Sequence, residues 1–144
     1  MIYLGADHRG YKLKEKIKSW LSEQKIEFED LGADKLDLQD DYPDFARKVA
    51  VRVSQKNDSF GILVCGTGAG VDIVANRQKG VRSVLGFDPY QVKMARKNDN
   101  VNILSLAADF VSEDLAYKLV VNFLKTPFSG KEKHQRRIGK IDSV

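Results

Sequence analysis

Five short runs of apolar residues recur along the chain, each bounded by turn residues and each of a length that suits a buried β-strand. They are Met1–Gly5, Ile26–Leu31, Phe60–Cys65, Val81–Phe87 and Val101–Leu106. A segment that suits a helix separates each run from the next, and strands that alternate with helices are typical of a parallel sheet. The pattern therefore predicts an α/β fold with five parallel strands.

The segments between these runs carry helix signals. Proline at the first helical position predicts helix starts at Tyr42-Pro43 and Asp88-Pro89. Ser112 is a suitable cap for a later helix, which should end before Pro127. The helix after the first strand has an apolar face and an opposite, polar face. That polar face carries Lys12, Lys14, Glu15, Lys18 and Glu23.

Length and composition place the chain among small globular proteins. Its 144 residues are 42% hydrophobic and 31% charged, which is enough for one core, so we expect a single domain over residues 1–144. No apolar stretch approaches the ~20 residues that span a bilayer, and the strand-like start has no basic leader, so we expect a cytoplasmic protein that does not bind membranes. One cysteine and two histidines do not make a zinc site, and we expect no metal.

The positive charge is concentrated near the C-terminus, where a short basic helix is expected from about Lys131 to Ile141. Nucleic-acid binders spread their cations along a face and interleave aromatic residues, so this local cluster argues against nucleic acid and suits one small anion. Within that helix Lys133 and Arg137 share a face, and His134 is adjacent. They either grip a phosphate group or form a solvated basic tail.

The loops that follow the strands are the candidate sites, because parallel sheets bind ligands at the carboxyl ends of their strands. The first loop, Gly5–Gly10, brings a carboxylate and an imidazole together in Asp7 and His8. Asp7 is either a helix cap or a ligand contact, and His8 is either part of a site or incidental.

The loop after the third strand has Gly66, Gly68 and Gly70 at every second position. Three glycines let the backbone adopt positive φ and turn its amides toward an anion. Their spacing differs from the G-x-G-x-x-G fingerprint, so a dinucleotide is not expected. Cys65 ends that strand, where a helix N-terminus and inward amides favour its thiolate, which is a base. The alternative is that Cys65 is a small buried hydrophobe.

Five motifs taken together resemble the type B ribose-5-phosphate isomerases, in the family that includes the galactose-6-phosphate isomerase subunits. They are Asp7-His8-x-Gly10, Asp41-Tyr42-Pro43, Cys65-Gly66-Thr67-Gly68-x-Gly70, Ala75-Asn76 and His134-Gln135-Arg136-Arg137. The resemblance implies a three-layer α/β/α Rossmann-like fold with a five-stranded parallel sheet and a C-terminal helix. It also implies a phosphorylated sugar as substrate, no cofactor, and a homodimer or tetramer whose active sites contain residues from both subunits.

The resemblance further implies a role for each matching position. Cys65 corresponds to the base that moves a proton between carbons 1 and 2, and Thr67 to a hydroxyl that assists proton transfer between the oxygens. The amides of Gly66–Gly70 correspond to the donors that stabilise the enediolate, and Arg137 to a phosphate ligand. The implied substrate-binding positions are Asp7, His8, Gly66, Gly68, Ala69, Gly70, Asp99, Lys133, His134 and Arg137.

Four positions depart from the family pattern. The family's ring-opening histidine and the asparagine after it appear here as Asn98 and Asp99, and an amide has no pKa that suits general acid–base catalysis near neutral pH. A phosphate-binding arginine appears as Asp109, which should weaken phosphate binding unless another cation compensates. Lys133 replaces the first tail arginine and keeps its charge without the bidentate fork.

These departures leave several hypotheses open. The chain isomerises ribose 5-phosphate and ribulose 5-phosphate, slowly or from the small open-chain fraction. Alternatively it acts on another sugar phosphate, such as an acyclic four-carbon one, or requires a partner subunit as the galactose-6-phosphate isomerase chains do. A binding protein that has lost catalysis is the hypothesis outside enzymology. Retention of Cys65 together with Thr67 and Arg137 favours an active isomerase.

Overall fold

The computed structural model describes residues 1–144 as five strands and six helices. The strands are β1 (Ile2–Ala6), β2 (Phe28–Asp30), β3 (Phe60–Cys65), β4 (Ser83–Leu85) and β5 (Ile103–Ala107). The helices are α1 (Tyr11–Glu23), α2 (Tyr42–Gln55), α3 (Ala69–Asn76), α4 (Pro89–Asp99), α5 (Glu113–Lys125) and α6 (Glu132–Asp142). All five predicted strands are present, and β2 and β4 are shorter than the apolar runs that predicted them.

The five strands form one parallel sheet in the order β2-β1-β3-β5-β4. Two apolar clusters cover its faces. One contains buried residues of α1, α4 and α5, and the other contains buried residues of α2 and α3. This arrangement confirms the predicted three-layer α/β/α fold, and α6 supplies the predicted C-terminal helix. No helix has both the length and the apolar character needed to cross a membrane.

Two predicted helix starts are capped by their own side chains. The carboxylate of Asp88 accepts hydrogen bonds from the amides of Tyr90 and Gln91, at 2.9 and 3.1 Å. The hydroxyl of Ser112 accepts from the amide of Leu115 at 3.1 Å. These bonds satisfy amides that have no partner inside the helix. Both caps therefore fix where a helix begins after a strand has ended.

Lys14 lies on the polar face of α1, yet its side chain is only 1% exposed. Its Nζ donates to both carboxylate oxygens of Asp30, at 2.7 and 2.8 Å, and to the carbonyl of Ala33 at 2.6 Å. A buried ammonium needs such partners. The three bonds tie α1 to the end of β2.

Candidate active site

The strand ends place the predicted loops at one edge of the sheet. Ala6 pairs with Val64, and Cys65 pairs with Ala107, so β1, β3 and β5 finish at nearly the same level. The chain leaves β1 toward one side of the sheet and β3 toward the other, because β2 and β4 lie on opposite sides of this pair. Such a switch point opens a crevice at the carboxyl edge, and here the loops after β1 and β3 line it.

Asp7 is buried at the start of the crevice, but it does not cap α1. Its Oδ1 accepts hydrogen bonds from the amides of Arg9 and Gly10, both at 3.0 Å, and closes the turn between β1 and α1. Gly10 is itself the N-cap residue. A Cβ at Gly10 would lie 2.3 Å from the carbonyl oxygen of Val64, so only glycine lets α1 start this close to β3.

His8 follows Asp7 and is held by Asp40, which precedes α2. The Nδ1 of His8 lies 2.7 Å from Oδ1 of Asp40, and the same oxygen accepts from the His8 amide at 2.9 Å. The hydrogen bond to Asp40 raises the pKa of His8 above its ordinary value of 6.5, against the opposing effect of burial. Asp40 therefore holds the His8 ring in a defined orientation at this edge of the sheet.

The glycine loop uses its three glycines in different ways. Only Gly68, the N-cap residue of α3, adopts positive φ, at 70°, so the prediction of positive φ was wrong for the other two. A Cβ at Gly66 would lie 2.7 Å from Nε of Arg9, and a Cβ at Gly70 would lie 2.7 Å from the ring of Tyr42. Gly66 and Gly70 therefore make room for neighbouring side chains.

Thr67 and Cys65 occupy contrasting environments in this loop. Thr67 is exposed, and its Oγ1 accepts a hydrogen bond from the amide of Ala69 at 3.3 Å. Cys65 is a free cysteine that is 4% exposed and belongs to the apolar cluster beneath α2 and α3. The expected position of Cys65 at a strand end is confirmed, and its burial is compatible with both interpretations given above.

Arg9 and Asp109 form an ion pair across Gly66, which the sequence did not predict. Asp109 follows the end of β5, and its amide donates to the carbonyl of Gly66 at 3.0 Å. Arg9 is more than half exposed. A guanidinium therefore lies against the glycine loop, although position 109 carries an acid. One signal in the sequence was the acid at position 109, where the family has an arginine, since phosphate binding then requires a cation from another strand end.

The other predicted site residues, which are Asn98, Asp99 and those of the tail helix α6, lie at the opposite, amino edge of the sheet. Arg82 immediately precedes β4, and its Nε donates to the carbonyl of Asp99, at the end of α4, at 3.2 Å. Its guanidinium also pairs with Asp142, at the end of α6, at 3.1 Å. Within one chain, Asn98 and the tail helix are therefore separated from Cys65 by the length of the sheet.

The tail helix exposes the two predicted cations, Lys133 and Arg137, and buries the predicted histidine. Lys133 and Arg137 are exposed and form no ion pair within the chain. His134 is buried, with Nδ1 2.6 Å from the hydroxyl of Ser129. Burial lowers the pKa of His134, and the charge of Lys133 lowers it further. Asn98 is half-buried and Asp99 is exposed beside this helix.

Asp7, His8 and Asp40 are also the residues best placed to hold a metal ion, since they offer ligand atoms within 4.8 Å of one another. All three side chains already form hydrogen bonds, because Oδ1 of Asp7 accepts from two amides and Nδ1 of His8 lies 2.7 Å from Oδ1 of Asp40, a hydrogen-bond distance. We interpret the group as a hydrogen-bonded cluster. The expectation of no metal stays a prediction.

Comparison with known proteins identifies the family of this chain. The Ribose/Galactose Isomerase family matches residues 2–141. A probable ribose-5-phosphate isomerase B from Mycoplasma pneumoniae is 41% identical over 140 residues, which cover 97% of this chain and 91% of the relative.

Two solved structures are similar over almost their whole length. A ribose 5-phosphate isomerase from Thermotoga maritima has a TM-score of 0.94 and 43% identity, covering 99% of this chain and 97% of the other. Ribose-5-phosphate isomerase B from Mycoplasma genitalium, solved with bound ribulose-5-phosphate, has a TM-score of 0.94 and 43% identity, covering 99% and 93%. The chain belongs to the ribose/galactose isomerase family.

Proposed function

We propose that this chain interconverts ribose 5-phosphate and ribulose 5-phosphate, as an aldose-ketose isomerase formed by residues 1–144. The observation that carries the proposal is the loop at the end of β3, where Cys65 leads into exposed Thr67 and the start of α3. Members of the same family with 41% and 43% identity are named ribose-5-phosphate isomerases, and one binds ribulose-5-phosphate.

Two proton transfers convert the aldose into the ketose. Cys65, as thiolate, takes the proton from carbon 2, which leaves an enediolate, and returns a proton to carbon 1. The proton on oxygen 2 moves to oxygen 1, and the hydroxyl of Thr67 assists this step. Amides of the loop Gly66–Gly70 donate to the negative oxygen of the enediolate. Preorganised donors of this kind typically contribute about 3–4 kcal/mol each to lowering the barrier.

The substrate's phosphate group requires cations, and the chain offers them at both edges of the sheet. Arg9 lies against the glycine loop, where Asp109 fixes its orientation and leaves other guanidinium donors free. Arg137 and Lys133 are exposed on the tail helix and lack an acidic partner. Guanidinium groups bind phosphate with two parallel hydrogen bonds, so Arg9 and Arg137 are the stronger candidates.

A second copy of the chain would complete the site. Cys65 and Arg137 lie at opposite edges of the sheet, and one substrate cannot reach both within a single subunit. Apolar side chains that are more than half exposed lie at or near the carboxyl edge, which suits a subunit interface. They are Ile73, Phe87, Tyr90 and Phe110. The proposed active unit is therefore a homodimer, or a tetramer of such dimers, in which one subunit's tail helix covers the other's crevice.

The reaction needs no organic cofactor, because proton transfer beside a carbonyl requires only a base and donors. The base must stay reduced, and Cys65 is free. We therefore propose the cytoplasm as the location, where thiols are kept reduced.

Isomerisation in heavy water tests the proposed function. If protons pass through a base that exchanges with solvent, ribulose 5-phosphate formed from ribose 5-phosphate will carry deuterium at carbon 1, which NMR detects. Product that forms without deuterium would indicate a different transfer route. No product from five-carbon, six-carbon or four-carbon sugar phosphates would contradict isomerase function and favour the binding-protein hypothesis.

Asn98 favours one second candidate, an isomerase of acyclic sugar phosphates. A four-carbon sugar phosphorylated at its terminal hydroxyl cannot close a furanose ring, so it needs no ring-opening histidine at position 98. The ratio of kcat/KM for four-carbon and five-carbon substrates separates the two candidates. A ratio above one would favour the acyclic substrate. Dependence on a galactose-6-phosphate isomerase partner would appear as activity only after a related chain is added.

A further inference from the structure

Asp40 is a buried acid whose only side-chain hydrogen bonds are with His8. Its side chain is 8% exposed, and Oδ1 accepts both the backbone amide and the ring nitrogen of His8. Its other oxygen, Oδ2, is buried and has no hydrogen-bond partner. A buried carboxylate with a free lone pair is costly unless a positive charge compensates for it. The group in position to provide that charge is the His8 imidazolium.

The two bonds to Asp40 also fix which nitrogen of His8 is available. Nδ1 faces the carboxylate and carries a proton there, so Nε2 is the nitrogen that remains for a ligand. In a neutral ring with this tautomer, Nε2 is an acceptor and repels an anion. In the imidazolium, Nε2 is a charged donor, which suits a phosphate oxygen.

We propose that Asp40 is a positioning residue for substrate binding, which orients His8 and supplies the counter-charge that keeps its Nε2–H available to the anionic group of the substrate. This inference rests on the proposed function for the identity of the anion. It assigns a role to a residue that lies between β2 and α2 and outside every motif of the crevice.

The charges around His8 set the direction of its pH dependence. The hydrogen bond to Asp40 and the charges of Asp7 and Asp40 raise the pKa of His8, whereas burial and the charge of Arg9 lower it. The net shift is upward, so the imidazolium persists to a higher pH than in a free histidine and is lost as the pH rises through the folded value. Anion binding through His8 should therefore weaken toward alkaline pH.

NMR titration of the imidazole rings tests the proposal directly, because the chain has only two histidines. In the wild type, His8 should titrate above 6.5 and His134 below it. Asp40→Asn should lower the His8 midpoint and leave the His134 midpoint unchanged. Asp40→Glu, which retains a carboxylate, should restore the His8 midpoint at least in part. Inorganic phosphate added to the wild type should shift the His8 resonances and raise the His8 midpoint further.

Kinetics provide the second measurement. At pH 7.5, Asp40→Asn should raise KM for ribose 5-phosphate about tenfold with a smaller change in kcat, the loss expected for one charge-assisted hydrogen bond. A wild-type His8 that titrates below 6.5 would overturn the proposal, even if Asp40→Asn does not fold. So would unchanged KM in a folded Asp40→Asn variant. Absence of isomerase activity in a protein whose His8 responds to phosphate as expected would instead contradict the proposed function alone.

Discussion

Asp109 holds the guanidinium of Arg9 against Gly66, at the end of the strand that carries Cys65. The family resemblance places a phosphate-binding arginine at position 109, where this chain has an acid. Arg9 returns a cation to the same corner of the crevice, from the end of β1 instead of the end of β5. We propose that Arg9, rather than position 109, provides the cation for phosphate at this corner.

Removal of this guanidinium should weaken substrate binding. We expect Arg9→Gln to raise KM for ribose 5-phosphate about tenfold with little change in kcat, since the phosphate is bound equally in the ground state and the transition state. Arg52→Gln is the matched control, because Arg52 is also about half exposed and paired with an acid, Glu29, far from the crevice. Equal KM values for the two variants would show that Arg9 does not contact the phosphate.

If the active sites are shared between subunits, as proposed, two damaged variants should restore each other. Cys65→Ala and Arg137→Ala each damage every site in their own homodimer. In a mixed dimer, one site carries both changes and the other carries neither. Equal amounts of the two chains, unfolded and refolded together, should therefore recover about one quarter of wild-type activity. Activity no greater than the average of the two separate variants would mean that each subunit holds a complete site.

The buried pair of Lys14 and Asp30 should be a major contribution to stability. We expect Asp30→Asn to lower the free energy of unfolding by about 3 kcal/mol, because the buried Lys14 ammonium loses its hydrogen-bonded carboxylate and keeps only Glu15, at 3.6 Å, as an acidic neighbour. Asp114→Asn is the control, since Asp114 pairs with Lys118 on the surface of α5 and such pairs contribute at most ~0.5 kcal/mol. Urea unfolding measures both, and equal losses would contradict this account of Lys14.

The stabilisation from the Lys14–Asp30 pair should be lost at acid pH, because Asp30 becomes protonated. Burial alone would raise this pKa, but hydrogen bonds from Lys14 and Lys18 outweigh it and hold the pKa below its ordinary value of 3.8. The stabilisation from Asp30 is therefore complete well above pH 3.8 and is lost as the pH falls through the folded value. Below pH 4, unfolding free energies of wild type and Asp30→Asn should converge. A constant difference down to pH 2 would contradict the assignment.

The fold was predictable because strands buried on both faces leave continuous apolar runs in the sequence. The candidate site was predictable where its parts lie next to each other in the sequence, as in Asp7-His8 and the glycine loop. Its ion pairs were not, since Arg9 and Asp109 are 100 positions apart, and His8 and Asp40 are 32 apart. Such pairs exist only once β1, β5 and the segment before α2 come together.

The contacts that stabilise the fold around Lys14 were not predictable either, because they also join residues that are distant in the sequence. The sequence places Lys14 on the polar face of α1 among other charged residues, and nothing in that pattern indicates its burial. Its burial depends on acceptors from Asp30 and Ala33, which are brought to it by the turn after β2. Arg96 on α4 is a second charged residue that is buried, and its guanidinium donates to the carbonyls of Val101 and Thr126.

The central claim is that the sulfur of Cys65 acts on a phosphorylated sugar in the crevice. The most direct test compares purified wild type with Cys65→Ala in the conversion of ribose 5-phosphate to ribulose 5-phosphate, with circular dichroism to establish that both are folded. Loss of a general base predicts that kcat falls about 10²–10⁴-fold in the variant. Wild-type turnover that survives intact in Cys65→Ala would contradict the account and leave Cys65 as a small buried hydrophobe.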